Sequence, residues 1–251
     1  MIDYKKIWKE EEKNAHIVGW DFSYIDGKYH QDELPWEYLD VVREYLDDDK
    51  DILDYDTGGG EVLLTLNHPY HKTYVTEGYS PNVLLCQERL IPLGIHFKEC
   101  NNPSNIPFED ESFDMIINRN GSFDPKEIYR LLKKDGIFIT QQVGDENDRD
   151  LVAKVLPDLP KPFPHLNLKD QSEAFKDAGF SIIRGEETFK ETRFFDMSAF
   201  VWFACIIEWE FEGFSVEKCY DELLKLQKEI DEKGYISGTI HRYLLVVRKE
   251  G

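Results

Sequence analysis

Three consecutive glycines, Gly58, Gly59 and Gly60, stand directly between a short apolar run and a helical pattern in Ile52-Leu53-Asp54-Tyr55-Asp56-Thr57-Gly58-Gly59-Gly60-Glu61. The run Ile52–Asp56 reads as a buried strand and Glu61–Leu66 as the start of a helix. Backbone stripped of side chains at that junction lets a ligand approach main-chain N–H groups, although a tight strand-to-helix turn would use the same residues. The next apolar segment, Thr73–Thr76, closes on Glu77 in Val75-Thr76-Glu77-Gly78-Tyr79-Ser80. A carboxylate at that strand end can accept both hydroxyls of a ribose. Glycine loop, helix, strand and acidic residue in this order point to a nucleoside-bearing ligand beyond the carboxyl ends of parallel strands. The G-x-G-x-x-G spacing of a dinucleotide site is missing, and Asp54 before the turn suits an ammonium group better than a pyrophosphate.

The rest of the chain keeps the same rhythm. Ser80-Pro81 opens a helix running to about Leu90; Ile95–Lys98 and Asp114–Asn118 read as strands. Asp124-Pro125-Lys126-Glu127 combines an acidic cap, a proline at the first helical position and a glutamate three residues after the cap. That helix is expected to end at Gly136, before a strand over Ile137–Val143. Lys169–Ala178 reads as a helix closed by Gly179, then a strand over Phe180–Arg184 and a last strand over Tyr243–Val247. Strands alternating with helices predict an α/β fold with a doubly wound, mostly parallel sheet. Residues 1–50, rich in aromatics (Trp8, Trp20, Tyr24, Tyr29, Trp36), read as an N-terminal helical cap. Residues 51–185 form the expected core, 186–235 an aromatic and helical insertion, and 236–251 the final strand, all within a single domain. In the insertion, Ser215 precedes an apolar stripe at Val216, Cys219, Tyr220, Leu223, Leu224 and Ile230 that Gly234 terminates.

Several of these segments resemble the class I S-adenosylmethionine-dependent methyltransferases. LDYDTGGGE resembles their first motif, LDxGxGxG, and TEGYSPN the acidic strand end that follows it. NIPFEDESFDMIIN resembles the family's LPFxDxSFDxV segment, LLKKDGIFIT its turn into strand five, and AGFSII a late strand. The resemblance covers roughly residues 50–185 and implies a Rossmann-like fold, S-adenosyl-L-methionine as cofactor, and in-line displacement of a methyl group from a sulfonium. It implies cofactor contacts from Asp54, Asp56, Thr57, Gly58, Gly59, Gly60, Glu77, Gly78, Asn102 and Asn118. Asp56 replaces the first glycine of the usual loop, and Asn102 stands where many relatives carry an aspartate on the adenine amino group.

No residue stands out as a general base. Asn118 and Arg119, at the end of the fourth strand, and Gln141, on the fifth beside Gln142, are the catalytic candidates. His68 and His71, in His68-Pro69-Tyr70-His71, read as solvated turn residues and imply no metal; His241 and Arg242 read as a surface pair. Phe194–Trp209 reads as buried core, with lining of an acceptor pocket as the alternative.

Composition narrows the partner. Thirty basic against 50 acidic residues give a net charge of −20, which disfavours nucleic acid without excluding an RNA held by a local basic patch. A small-molecule acceptor is the expectation; an RNA acceptor and a non-catalytic nucleoside-binding protein are the alternatives. The four cysteines have neither CxxC nor zinc spacing, the charged N-terminus has no apolar signal core, and the longest apolar run, Ala199–Ile207, is too short to span a bilayer. A cytoplasmic protein with no membrane segment is expected; the oligomeric state is left open.

Overall fold

The computed structural model describes residues 2–17 and 21–251; Trp20, one of the aromatics assigned to the cap, lies outside them. In chain order the elements are α1 (Tyr4–Asn14), β1 (Tyr29–Gln31), α2 (Tyr38–Tyr45), β2 (Ile52–Asp54), α3 (Glu61–Leu64), β3 (Thr73–Glu77), α4 (Ser80–Arg89), β4 (His96–Glu99), β5 (Phe113–Arg119), α5 (Pro125–Leu131), β6 (Leu132–Val143), α6 (Arg149–Val155), α7 (Leu168–Asp177), β7 (Phe180–Phe194), α8 (Met197–Ile206), α9 (Tyr220–Lys233) and β8 (Ile236–Lys249). The chain divides into two compact units. One comprises Met1–Leu34, Asp145–Pro164 and Thr188–His241; the other comprises Pro35–Gly144, His165–Glu187 and Arg242–Gly251.

The second unit carries the strand order β7-β8-β6-β5-β2-β3-β4. Pairings β2–β3, β2–β5, β3–β4 and β5–β6 are parallel, and β8 joins β6 antiparallel. The fold is therefore the expected mostly parallel, Rossmann-like sheet. From central β2 the chain steps outward to β3 and β4, then returns to start β5 on the other side. This reversal leaves a crevice beyond the carboxyl ends of β2 and β5, where open sheets of this kind take ligands. The strands are apolar because both faces are covered: Ile52, Leu53, Met115 and Ile116 are completely buried. Phe138 and Phe175 stack at 5.4 Å in the same core.

The structure shifts several expected boundaries. α5 begins as expected, with Asp124 accepting from the Lys126 amide at 2.9 Å, but it ends at Leu131 rather than Gly136. Leu132 is fully buried and pairs with Phe113, so strand pairing takes over from the helical pattern. α3 is a single turn, shorter than Glu61–Leu66, and β7 runs on to Phe194 instead of stopping at Arg184.

In the first unit, the N-terminal segment that reads as a helical cap also contains the short strand β1. It pairs antiparallel with the Thr192–Phe194 end of β7, which belongs to this same unit, and Tyr29 packs on Phe194 with ring centroids 4.7 Å apart. Aromatic cross-strand pairing of this kind holds even a three-residue strand in place. Phe194, Phe200, Trp202 and Phe203 are buried core around α8 rather than pocket walls. His241 is not a surface residue: it is 1% exposed, stacks on Phe189 at 4.3 Å, and takes the Glu146 amide on Nδ1 at 3.1 Å. In the second unit, His68 is likewise buried and bonded through Nε2 to the Lys50 carbonyl at 2.9 Å; burial pushes its pKa down. Among the described residues, no helix is long and apolar enough to cross a membrane.

Candidate functional site

The chain leaves β2 through a loop whose backbone turns left-handed three times, at Asp56 (φ 63°), Gly58 (φ 66°) and Gly60 (φ 79°). Glycine meets this geometry without strain, and aspartate tolerates it better than most residues. Neighbouring strands hold the loop. The Tyr55 amide donates to the Ile117 carbonyl at 2.9 Å and the Thr57 amide to the Thr76 carbonyl at 3.0 Å. The three glycines differ in purpose. A Cβ on Gly60 would lie 2.7 Å from the Leu90 side chain, so Gly60 is needed for packing. On Gly59 it would meet only the flexible Glu61 carboxylate, and on Gly58 nothing within 4 Å. Gly58 thus leaves open space where a side chain would stand.

Glu77 ties this loop to the start of α4. Its Oε2 accepts the Gly58 amide at 2.8 Å and the Asn82 side-chain amide at 3.3 Å. Its Oε1 accepts the Gly78 and Tyr79 amides, each at 2.8 Å. Four donors fill the four lone-pair positions of a carboxylate, and the side chain is 2% exposed. Gly78 has its own requirement: a Cβ there would sit 2.5 Å from the Cys100 carbonyl and 2.7 Å from the Asn101 Cα. Asn102 is not drawn into this group. It is exposed, and its Oδ1 accepts the Ser104 amide at 3.1 Å in a local turn.

At the end of β5, Asn118 is fully buried and bonded through both the nitrogen and the oxygen of its amide. Its Nδ2 donates to the Tyr55 carbonyl at 2.8 Å; its Oδ1 accepts from Gln142 at 2.6 Å and from Thr140 at 3.3 Å. Gln141 points to the opposite face of β6, as strand alternation requires, and accepts the Trp36 indole N–H at 2.8 Å. Two of the three catalytic candidates therefore clasp the sheet, while Arg119 is exposed. Residues not assigned from sequence complete the arrangement: Asn82 on Glu77, Trp36 on Gln141, Tyr38 donating to the Asn118 carbonyl at 3.2 Å, and Gly121. A Cβ on Gly121 would lie 2.5 Å from Asp56 Oδ2, so Gly121 makes room for the Asp56 carboxylate. The sequence signal for it was a second glycine shortly after a strand end; Asn82 carried no signal.

Three carboxylates thus gather around the loop. Burial pushes the Asp54 pKa up to about 7, with the Asp56 and Glu77 charges adding to it and the Thr57 hydroxyl, bonded at 2.6 Å, opposing it. Asp56 is raised to about 6, first by partial burial of its carboxyl and then by Glu77 beside it, although its residue surface remains exposed. A cluster of carboxylates beside the open space at Gly58 suits a ligand that brings positive charge.

Residues 53–140, which include this loop, Glu77 and Asn118, match the family model described as a methyltransferase domain. None of the curated proteins compared with the sequence matches it. Solved structures do. A candidate methyltransferase from Bacillus halodurans C-125 superposes with a TM-score of 0.58 at 17% identity, over 86% of this chain and 99% of that one. The YcgJ protein from Bacillus subtilis gives 0.56 at 18% identity, over 85% and 97%. A SAM-dependent methyltransferase from Methanosarcina mazei gives 0.53 at 17% identity, over 87% and 99%. At these identities the structures establish the fold, and the match to the methyltransferase-domain model is confined to residues 53–140.

Proposed function

We propose that the protein is an S-adenosylmethionine-dependent methyltransferase acting on a small-molecule acceptor. The observation that carries this reading is the glycine loop fastened to Glu77 through the Gly58 amide, inside the segment that matches the methyltransferase-domain model. The cofactor supplies an activated methyl group on a sulfonium whose departure leaves a neutral thioether.

The chain's own residues bind and orient. Gly58 offers bare backbone, and the buried Asp54 carboxyl receives an ammonium group directly or through water. Glu77 reaches a ribose hydroxyl by exchanging its longest bond, the one to Asn82. Asn102 serves the adenine edge once its amide turns away from the Ser104 N–H. Asn118 acts as a positioning residue that joins the ends of β2, β5 and β6, and Arg119 orients an oxygen of the acceptor. Most of the rate enhancement in such a site comes from orientation and exclusion of water. The net charge of −20 favours a small molecule over RNA.

Isothermal titration calorimetry with S-adenosylmethionine and S-adenosylhomocysteine tests the assignment. Saturable one-to-one binding of both is expected, weakened at least about tenfold by Glu77→Gln, which loses one of the two carboxylate oxygens as acceptor. Absence of binding by the wild-type chain would refute the reading.

A further inference from the structure

Of the three carboxylates around the loop, two are already engaged inside the protein. Asp54 is 7% exposed and takes the Thr57 hydroxyl at 2.6 Å. Glu77 is 2% exposed and accepts four protein donors. Asp56 differs in exposure: its carboxyl lies beside Glu77 and Gly121, yet the residue remains open to solvent and stands two residues from Gly58, whose missing side chain faces open space. Two features of the backbone keep it there. Its own φ of 63° is a conformation that most side chains avoid. Gly121 leaves empty the volume its carboxylate needs, since a Cβ at 121 would come within 2.5 Å of Oδ2. The chain thus accommodates an additional negative charge in the loop, beside two other carboxylates that repel it.

A ligand with an extra positive charge compensates that arrangement. S-adenosylmethionine and S-adenosylhomocysteine share adenosine, ammonium and carboxylate; they differ by one methyl group and the single positive charge of the sulfonium. We propose that Asp56 is a specificity-determining residue of the cofactor site, whose carboxylate makes the loop prefer the sulfonium form over the neutral thioether product. The inference rests on the cofactor assignment above. Its consequence is weak retention of the product after each turnover, with no change in the contacts to adenosine.

The test uses Asp56→Asn and Asp56→Gly. Both residues tolerate a positive φ, so the loop backbone is preserved while the charge is removed. Dissociation constants for S-adenosylmethionine and S-adenosylhomocysteine are measured by calorimetry on the wild type and both variants at mildly alkaline pH, with thermal unfolding as a check on integrity. The expected result is a wild-type preference for the sulfonium ligand that falls by about fivefold or more in both variants, because sulfonium affinity drops while thioether affinity is kept or improves. An unchanged ratio overturns the proposal. Equal loss of both ligands also overturns it, since Asp56 would then support the loop without discriminating charge. If the wild type binds neither compound, the cofactor assignment itself fails; a wild type that binds both equally leaves that assignment standing and overturns the proposal.

Discussion

At the scale of single residues, the site is governed by carboxylates placed where ionisation is costly. Asp54 and Asp56 have folded-state pKa values of about 7 and about 6, both above the ordinary 3.8. A raised acid pKa means that the folded chain holds protons which the unfolded chain has already released. Stability is then greatest below the unfolded value and is lost as pH rises through the folded one. Denaturant unfolding should show the protein less stable at pH about 8 than at pH about 5, with Asp54 accounting for up to about 4 kcal/mol across its full range. Asp54→Asn should flatten that slope. Glu77 is the opposite kind of residue, a carboxylate whose donors are all provided. Glu77→Ala strands the amides of Gly58, Gly78 and Tyr79 and the Asn82 side chain. Destabilisation of about 2–4 kcal/mol is expected in chemical denaturation.

At the scale of elements, one arginine holds the segment before β5. Arg130 on α5 donates to the Phe108 and Ile106 carbonyls at 2.8 and 3.0 Å, to Asp110 at 2.8 Å and to Glu127 at 2.6 Å. Glu127 also accepts the Ile106 amide at 2.6 Å. From sequence, Glu127 had the spacing to close a capping box on Asp124; in the fold its carboxylate goes instead to Arg130 and Ile106, a tertiary use of a local signal. Arg130→Ala should cost about 2–4 kcal/mol by leaving the nearly buried Glu127 carboxylate without its cation. Arg130→Lys should recover little of this, because an ammonium cannot reproduce the planar fork. Chemical denaturation gives the energies, and hydrogen exchange of the Ile106 and Phe108 amides should report loosening in both variants. The start of α5, with Asp124 and Pro125, was legible because capping is local. Its end was not, because burial of Leu132 against β5 overrode the helical pattern.

At the scale of the whole molecule, the excess of acidic residues acts on stability as well as on partner choice. A net charge of −20 repels itself in the compact state, so added salt should stabilise the protein. Thermal unfolding should shift upward by a few degrees between low ionic strength and about 0.3 M salt. The alternation of strands and helices made the mostly parallel sheet legible, since both-face burial leaves continuous apolar runs such as Met115-Ile116-Ile117. The strand at Tyr29–Gln31 was not legible, because three residues carry no periodicity and their pairing partner lies more than 160 positions away on β7.

The sequence by itself determined the glycine loop, the acidic residue closing β3 and the order of the sheet-forming segments, because each depends on backbone freedom, strand ends or hydrophobic runs that are local in the chain. Only the tertiary structure decided which polar groups are committed and which stay open. Asn118 and Gln141 were equally plausible as free side chains until distant partners, Gln142 and Trp36, engaged them. Asp56 was legible as a replacement of the loop's first glycine, but not as a carboxylate placed beside Gly121 and Glu77. Hydrogen-bond saturation and charge proximity depend on residues separated by tens of positions, and no local pattern encodes them.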